Sequence, residues 1–494
     1  MAHSAAETRP AFPTANLAPG QVGSYQIDLI SVLLMVGGLV CGLVLIWAPP
    51  APSLFLGMTC LCLLVLGVID TTAAICLLLM LNPLMFLVRN AAPDSIVFSG
   101  ARSMWMFSVA LGWGLALISS RARLPRGADT VAICVFLIYA ILMAGASRSL
   151  MDGFLGLRAV AMPAAIYLVT KATVTQRPNT GYALLLASIA STTIFIILTW
   201  LWTAGLLETS EFAATTILGG GGRRILGVYF ERNASLIGGG PSNAGIFVAA
   251  GLVMCLGLIF SRRVHSWWRG VLLVIAIAAG YTAFFTLSRS VVILLLVGLS
   301  CFMLTANIHR ASKVVFLVAI GLLFVGTVIG TAFGGVDFIS VTINYSVMWL
   351  RAIPRGVEAI IGSGLEAAGG TKLGIGAERS NFLVDGGWPA IWAMMGLPGI
   401  GSMAILLYLW VLHYYRLCRF RFLSVRNYTT GVIAGATAIG LFFGSPHTAI
   451  IMRPVSDMLF YALSAVAMSI YDVGYQMQQH PDRSANFRTQ GRRS

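Results

Sequence analysis

Charge is what this chain has least of. Asp, Glu, Lys and Arg make up 10% of its 494 residues, and only 17 residues are acidic. With 58% hydrophobic residues and a mean hydropathy of +0.87, that scarcity excludes an ordinary soluble domain, which carries about 25% charged residues. Histidine is also sparse, at six residues. No His-Glu-x-x-His, Asp-rich pair or Cys/His cluster occurs, so the sequence offers no metal site. The eight cysteines contain no Cys-x-x-Cys pair; seven lie in apolar runs and Cys418 in a basic loop, as free thiols do. A Gly-x-x-x-x-Gly-Lys-Ser/Thr loop and a Gly-x-Ser-x-Gly elbow are both missing, which leaves a nucleotide P-loop and a serine hydrolase unsupported. The polar first 25 residues lack the basic start and apolar core of a signal peptide, so the first span is expected to serve as the insertion signal. No repeat of 20–50 residues and no symmetry between halves is visible.

What is there is a series of apolar runs long enough for helices that cross about 30 Å of hydrocarbon. They predict an all-α, polytopic transmembrane bundle of about 12–14 spans with large extracytoplasmic loops. The spans fall near 27–47, 53–69, 72–88, 104–119, 130–147, 155–170, 181–203, 243–260, 270–286, 290–306, 314–334, 388–412, 429–444 and 453–471. The 53–88 pair also reads as one re-entrant hairpin, and 155–170 begins near Arg158 and contains Pro163. The chain then divides into a cytoplasmic N-terminus (1–25), N-terminal helices (26–203), a first outer loop (204–242), central helices (243–334), a second outer loop (335–387), C-terminal helices (388–472) and a basic tail (473–494).

The formal net charge of +15 invites a nucleic-acid partner, but the basic residues sit mostly in short connections between spans, where topology asks for them. With both termini cytoplasmic, segments 121–127, 171–179, 261–269, 309–313 and 416–426 and the two ends of the chain hold about 19 of the 32 basic residues. No nucleic acid is expected. Arg89, Arg102, Arg148 and Arg158 fall on the opposite side and run against the trend.

Three segments on that opposite side carry arginine. The first, 204–242, contains Gly219–Gly222 followed by Arg223 and Arg224, then Glu231 and Arg232, and ends on Pro241-Ser242-Asn243, a helix N-cap. The second is the link Thr286-Leu287-Ser288-Arg289-Ser290. The third, 335–387, holds Arg351, Arg355 and Glu358 at helical spacing, two Gly-x-Gly turns (Gly362/Gly364 and Gly374/Gly376), then Glu378-Arg379-Ser380-Asn381 and Asp385. Arg289 has two readings: it snorkels to headgroups, or its planar fork binds an anionic group such as a lipid pyrophosphate. Glu378 and Arg379 read as an ion pair with a helix cap or as reacting groups. The Gly219–Arg224 stretch reads as a flexible turn or a loose phosphate cradle. His447 is the one histidine on this side.

Three pieces in order resemble the O-antigen polymerase and ligase superfamily of bacterial envelope glycosyltransferases. They are SNAGIFVAAGLVMCLG (242–257), FTLSRSVVILLLVG (285–298) and the glycine-rich loop ending in ERSNFLVDGGWPAIWAMMGLPGIG (378–401). The resemblance implies a GT-C-like fold in the cytoplasmic membrane. It implies metal-independent, cofactor-free inverting transfer from an undecaprenyl-pyrophosphate-linked glycan at the outer leaflet, with membrane lipids, a chain-length regulator and a flippase as partners. The ligase branch carries a histidine just before the loop's Asn, where this chain has Ser380; the polymerase branch is therefore preferred.

For that chemistry, Arg289 with Arg223, Arg224, Arg351 and Arg355 would surround the pyrophosphate and stabilise its developing charge. Glu378 would be the base for the acceptor hydroxyl, beside Arg379, with Glu231, Arg232, Asn381, Asp385 and His447 as secondary candidates. Ligation to a lipid A core and transport of a lipid-linked sugar are the alternatives. A scaffold whose outer loops bind a partner is the plain reading.

Overall fold

A computed structural model describes residues 32–40, 52–85, 100–147, 150–204, 223–225, 228–230, 241–261, 264–286, 288–305, 313–314, 318, 321, 357–365, 387–420, 423–444 and 456–479. The fold is an all-α bundle. Its helices are α1 (Pro52–Ile69), α2 (Thr71–Leu81), α3 (Ala101–Ile118), α4 (Ala128–Gly145), α5 (Leu150–Gln176), α6 (Thr180–Thr203), α7 (Pro241–Phe260), α8 (Ser266–Phe285), α9 (Arg289–Thr305), the short α10 (Val357–Ile361), α11 (Gly387–Leu417), α12 (Val425–Gly444) and α13 (Ser456–Gln479). Among the described residues, eight helices are long and apolar enough to cross a membrane, and three shorter apolar ones accompany them. This is a multi-pass membrane protein. Most of the expected span at 314–334 and the flanks of the one at 27–47 lie outside the described residues.

Small residues set the closest helix approaches. α1 and α3 run in the same direction, because Thr59 accepts a hydrogen bond from Trp105 Nε1 (2.8 Å) at one level while Gly67 meets Gly112 backbone to backbone further on. A methyl group at Gly112 would stand 2.9 Å from the Gly67 α-carbon. Such small-residue seams are how helices associate where lipid removes the hydrophobic drive. α1 and α2 are separate helices joined at Asp70, whose extended backbone and carboxylate cap α2 by accepting from the Thr72 and Ala73 N–H groups. α13 is the central helix, buried almost all round, whereas α8 lies at the edge with Val274, Ile277, Tyr281 and Phe284 exposed, as a lipid-facing helix requires.

α5 and α11 exceed the hydropathy reading the most. α5 continues through Pro163 to Gln176, so the expected loop 171–179 is helical over its first six residues. α11 is interrupted at Gly396 (φ 58°, ψ −157°) and continues through Pro398. The first outer segment, expected as plain loop, contains a small antiparallel hairpin of β1 (Arg223–Ile225) and β2 (Val228–Phe230), with Arg223 opposite Phe230 and Arg224 opposite Tyr229.

The helices share two ends. At one, Gln176 donates to the Arg123 carbonyl, Arg426 covers the Tyr182 ring at 4.2 Å, and the His413 and Tyr471 rings stack at 4.2 Å. The connections around 119–127, 177–179 and 418–424 and the end of α13 therefore lie together, as the charge alternation expects. The opposite end collects the first turns of α3, α5, α7, α9 and α13.

Candidate functional site

The second end carries a belt of polar groups that can be followed helix by helix. In the first turn of α3, Arg102 forms an ion pair with Asp457 in the first turn of α13; the arginine is 7% exposed and the aspartate 0%. Asp457 Oδ1 also accepts from the Met458 N–H, while its Oδ2 and Arg102 Nε are buried with no hydrogen-bond partner. Next to Asp457, Ser456 donates to Asn243 in the first turn of α7, and both residues are fully buried. Two residues on, Gly245 leaves room for Thr286 and Val291, which would both be displaced by a side chain there. That contact seats the link before α9, with Ser288 and Ser290 buried on either side of Arg289.

On the other flank of Arg102 stands Arg158 of α5, half-buried and near enough for the two guanidinium charges to repel. Asp457 answers one of these charges. Arg158 is half-buried and has no carboxylate in ion-pair range among the described residues.

The second outer segment is fixed to this belt by its glycines. Breaking α11 at Gly396 and placing Pro398, which has no N–H, one turn after Met394 frees the carbonyls of Ala393 and Met394. They are taken up by the N–H groups of Ser363 (2.9 Å) and Gly364 (3.2 Å). Gly362 (φ +97°), Gly364 (φ +99°) and Gly396 occupy backbone regions that favour glycine, and a methyl group on Gly396 would lie 2.6 Å from the Gly362 nitrogen. Tyr139 of α4 donates to the Ile361 carbonyl (2.6 Å), and the Leu365 N–H donates to Ser147 Oγ (3.1 Å). Leu365 itself packs on Gly156, two residues before Arg158. The chain therefore leaves the bundle toward 366–386 beside Arg158.

Of the residues singled out from sequence, Arg289 is the first of α9 and its side chain lies outside the described residues, as do those of Arg223 and Arg224 on β1. Glu231, Arg232, Arg351, Arg355, Glu378, Arg379, Asn381, Asp385 and His447 also lie outside them. What sequence reasoning missed as site residues is Arg102, Arg158 and Asp457; Asn243 it took for a cap alone. The signal was present. Arg102 and Arg158 stood out as arginines on the side where basic residues are disfavoured.

A second charged cluster lies at the opposite end of the bundle and was not foreseen. Lys171 of α5 is 0% exposed and donates to both oxygens of Asp129 on α4, at 2.6 and 2.5 Å. Asp129 accepts a further hydrogen bond from Tyr167, which in turn accepts from Trp410 Nε1. Asp472 of α13 lies 2.9 Å from Lys171. Gly127 (φ +132°) closes the cluster, since a methyl group there would stand 2.6 Å from Asp129 Oδ1 and 2.8 Å from Lys171 Nζ. The expected spans stopped at 130, 170 and 471, one residue short of each of these three charges, which is why few charges seemed to lie inside spans.

No family model, curated protein or solved structure matches this chain.

Proposed function

We propose that the chain is a membrane glycosyltransferase that polymerises undecaprenyl-pyrophosphate-linked oligosaccharide units at the outer face of a bacterial cytoplasmic membrane, with both termini inside. The observation that carries this reading is the convergence at one end of the bundle of Arg102, Arg158 and the first turn of α9, with Asp457 the one carboxylate in ion-pair range of either arginine among the described residues. An excess guanidinium at a membrane boundary suits a lipid-linked phosphate: its fork accepts two oxygens, and it stabilises the leaving pyrophosphate as the anomeric bond breaks. Asp457 would hold Arg102 in place. Glu378, in the stretch that departs beside Arg158, remains the proposed base for the acceptor hydroxyl.

The test is the polysaccharide profile of a deletion strain complemented with wild type, Arg158→Ala or Arg289→Ala at matched membrane levels. Single repeat units that persist while long chains fail to return with either variant support polymerisation at this belt. Long chains that survive deletion but are no longer joined to a lipid A core support the ligase alternative. An unchanged glycan profile in the deletion strain removes both. The buried Lys171 cluster favours transport of a lipid-linked sugar as the second reading, because ionisable groups inside membrane bundles mark ion and substrate paths.

A further inference from the structure

The Lys171 cluster does not balance. One ammonium, buried completely, faces two carboxylates from different helices. If all three groups are ionised, the site holds a net negative charge in a setting where an uncompensated charge is costly. Something of charge +1 completes it, and the geometry says where.

The two carboxylates are not equivalent. Asp129 is saturated: both oxygens accept from Lys171, Tyr167 adds a third bond, and the residue sits in the first turn of α4, where the helix dipole favours an anion. Asp472 has fewer supports: its Oδ2 lies 2.9 Å from Lys171, outside good hydrogen-bond alignment, and no second side chain among the described residues donates to it. It is also the reachable member, with 18% of its side chain exposed against 0% for Lys171 and 1% for Asp129.

Among the described residues, the other neighbours do not supply the missing charge. From α11, His413 stacks on Tyr471 of α13, and its Nδ1 is buried with no hydrogen-bond partner, a poor setting for an imidazolium N–H. Arg416, further along α11, acts on His413. From α5, Tyr167 is a neutral donor. The segment before α4 contributes the Gly127 backbone.

We propose that Asp129, Lys171 and Asp472 form a proton-binding site, loaded and unloaded through Asp472 from the end of the bundle that holds segments 119–127 and 418–424. In loading, a hydronium ion gives its proton to an Asp472 oxygen, an O–H bond forms, water is released and the net charge of the cluster goes from −1 to zero. No oxidation is involved. Loading replaces the ion pair between α13 and α5 with a contact between the Lys171 ammonium and a neutral carboxyl. α13 is also the helix whose first turn holds Asp457 and Ser456, so the proton is bound on the helix that helps build the arginine belt. The proposal does not rest on the glycan chemistry.

The test uses the full chain in lipid nanodiscs and infrared difference spectra recorded as pH is lowered from about 8 to about 5. The expected result is one carbonyl band of a protonated carboxyl that grows in and is lost in Asp472→Asn. In Asp472→Glu, which keeps the acid should the amide variant fail to fold, the band should change frequency. Asp129→Asn removes the competing negative charge, and the midpoint should fall by about one pH unit or more. No titrating carboxyl band in wild type would overturn the proposal. So would a band unaltered in both Asp472 variants, or one lost only in Asp129→Asn.

Discussion

The two ends of the bundle use the same two ingredients, a basic and an acidic side chain, in opposite ways. At the Lys171 end two carboxylates surround one ammonium and a glycine closes over them, so the charges are turned inward. At the Arg102 end, among the described residues, Asp457 pairs with Arg102 and no carboxylate lies in ion-pair range of the half-buried Arg158. Among the described residues, the first arrangement has one more carboxylate than ammonium and the second one more guanidinium than carboxylate. Taken alone, either ion pair would be weak support for function, because buried pairs are also structural.

The comparison breaks most sharply at Lys171. Lys171→Met leaves Asp129 fully buried with Tyr167 as its side-chain donor, and the expected loss of stability is about 3–5 kcal/mol. The double variant Lys171→Met/Asp129→Asn removes both members of the tight pair and should recover part of that loss. Thermal unfolding in detergent and the yield of folded protein check both. A double variant no better than the single one would mean that the pair is not the unit holding α4 to α5. Arg102→Met is the counterpart at the other end. It strands Asp457, but the link between Ser456 and Asn243 still ties α13 to α7, so the loss should be smaller than for Lys171→Met.

These ends also show what could be read in advance. The helical architecture followed from apolar run length, and the described basic connections that share one end are ones that the placement of Lys and Arg groups. The charged pairs did not follow, because hydropathy windows close a span at the first charge they meet. Lys171 was assigned to a loop for being charged, yet it lies inside α5 because Asp129 and Asp472 neutralise it from two helices distant in sequence. Asp457 and Arg102 are 355 positions apart, a separation that no periodicity links. The Gly362, Gly364 and Gly396 turns were visible individually. That they dock on one another depends on carbonyls freed by Pro398, which only the packed chain displays.

Gly396→Ala tests that docking and carries the next largest effect. Its backbone lies in a region that side chains rarely adopt, with a cost of about 1–3 kcal/mol, and the added methyl group meets the Gly362 nitrogen. The predicted outcome is release of residues 357–365 from α11, read as faster amide exchange at Ser363 and Gly364 and faster proteolysis near Leu365. Both ion-pair clusters should keep their stability. If exchange at Ser363 and Gly364 is unchanged, the carbonyls of Ala393 and Met394 do not hold this segment.

The smallest structural effect, and the sharpest functional one, is expected at Arg158. It is half-buried and has no carboxylate to strand, so Arg158→Gln should change stability by no more than about 0.5 kcal/mol. If the belt binds a lipid-linked phosphate, the same change should abolish chain growth, because it removes the cation left over after Asp457 has paired with Arg102. Arg158→Lys separates charge from shape: an ammonium keeps the attraction but not the two-pronged geometry. Activity should then fall between wild type and Arg158→Gln, with the loss seen in substrate binding as much as in turnover. Full activity in Arg158→Lys would reduce the site to a local positive potential. Full activity in Arg158→Gln would move the phosphate site away from α5 altogether, toward the start of α9, and the contrast between the two ends would then rest on Arg289 alone.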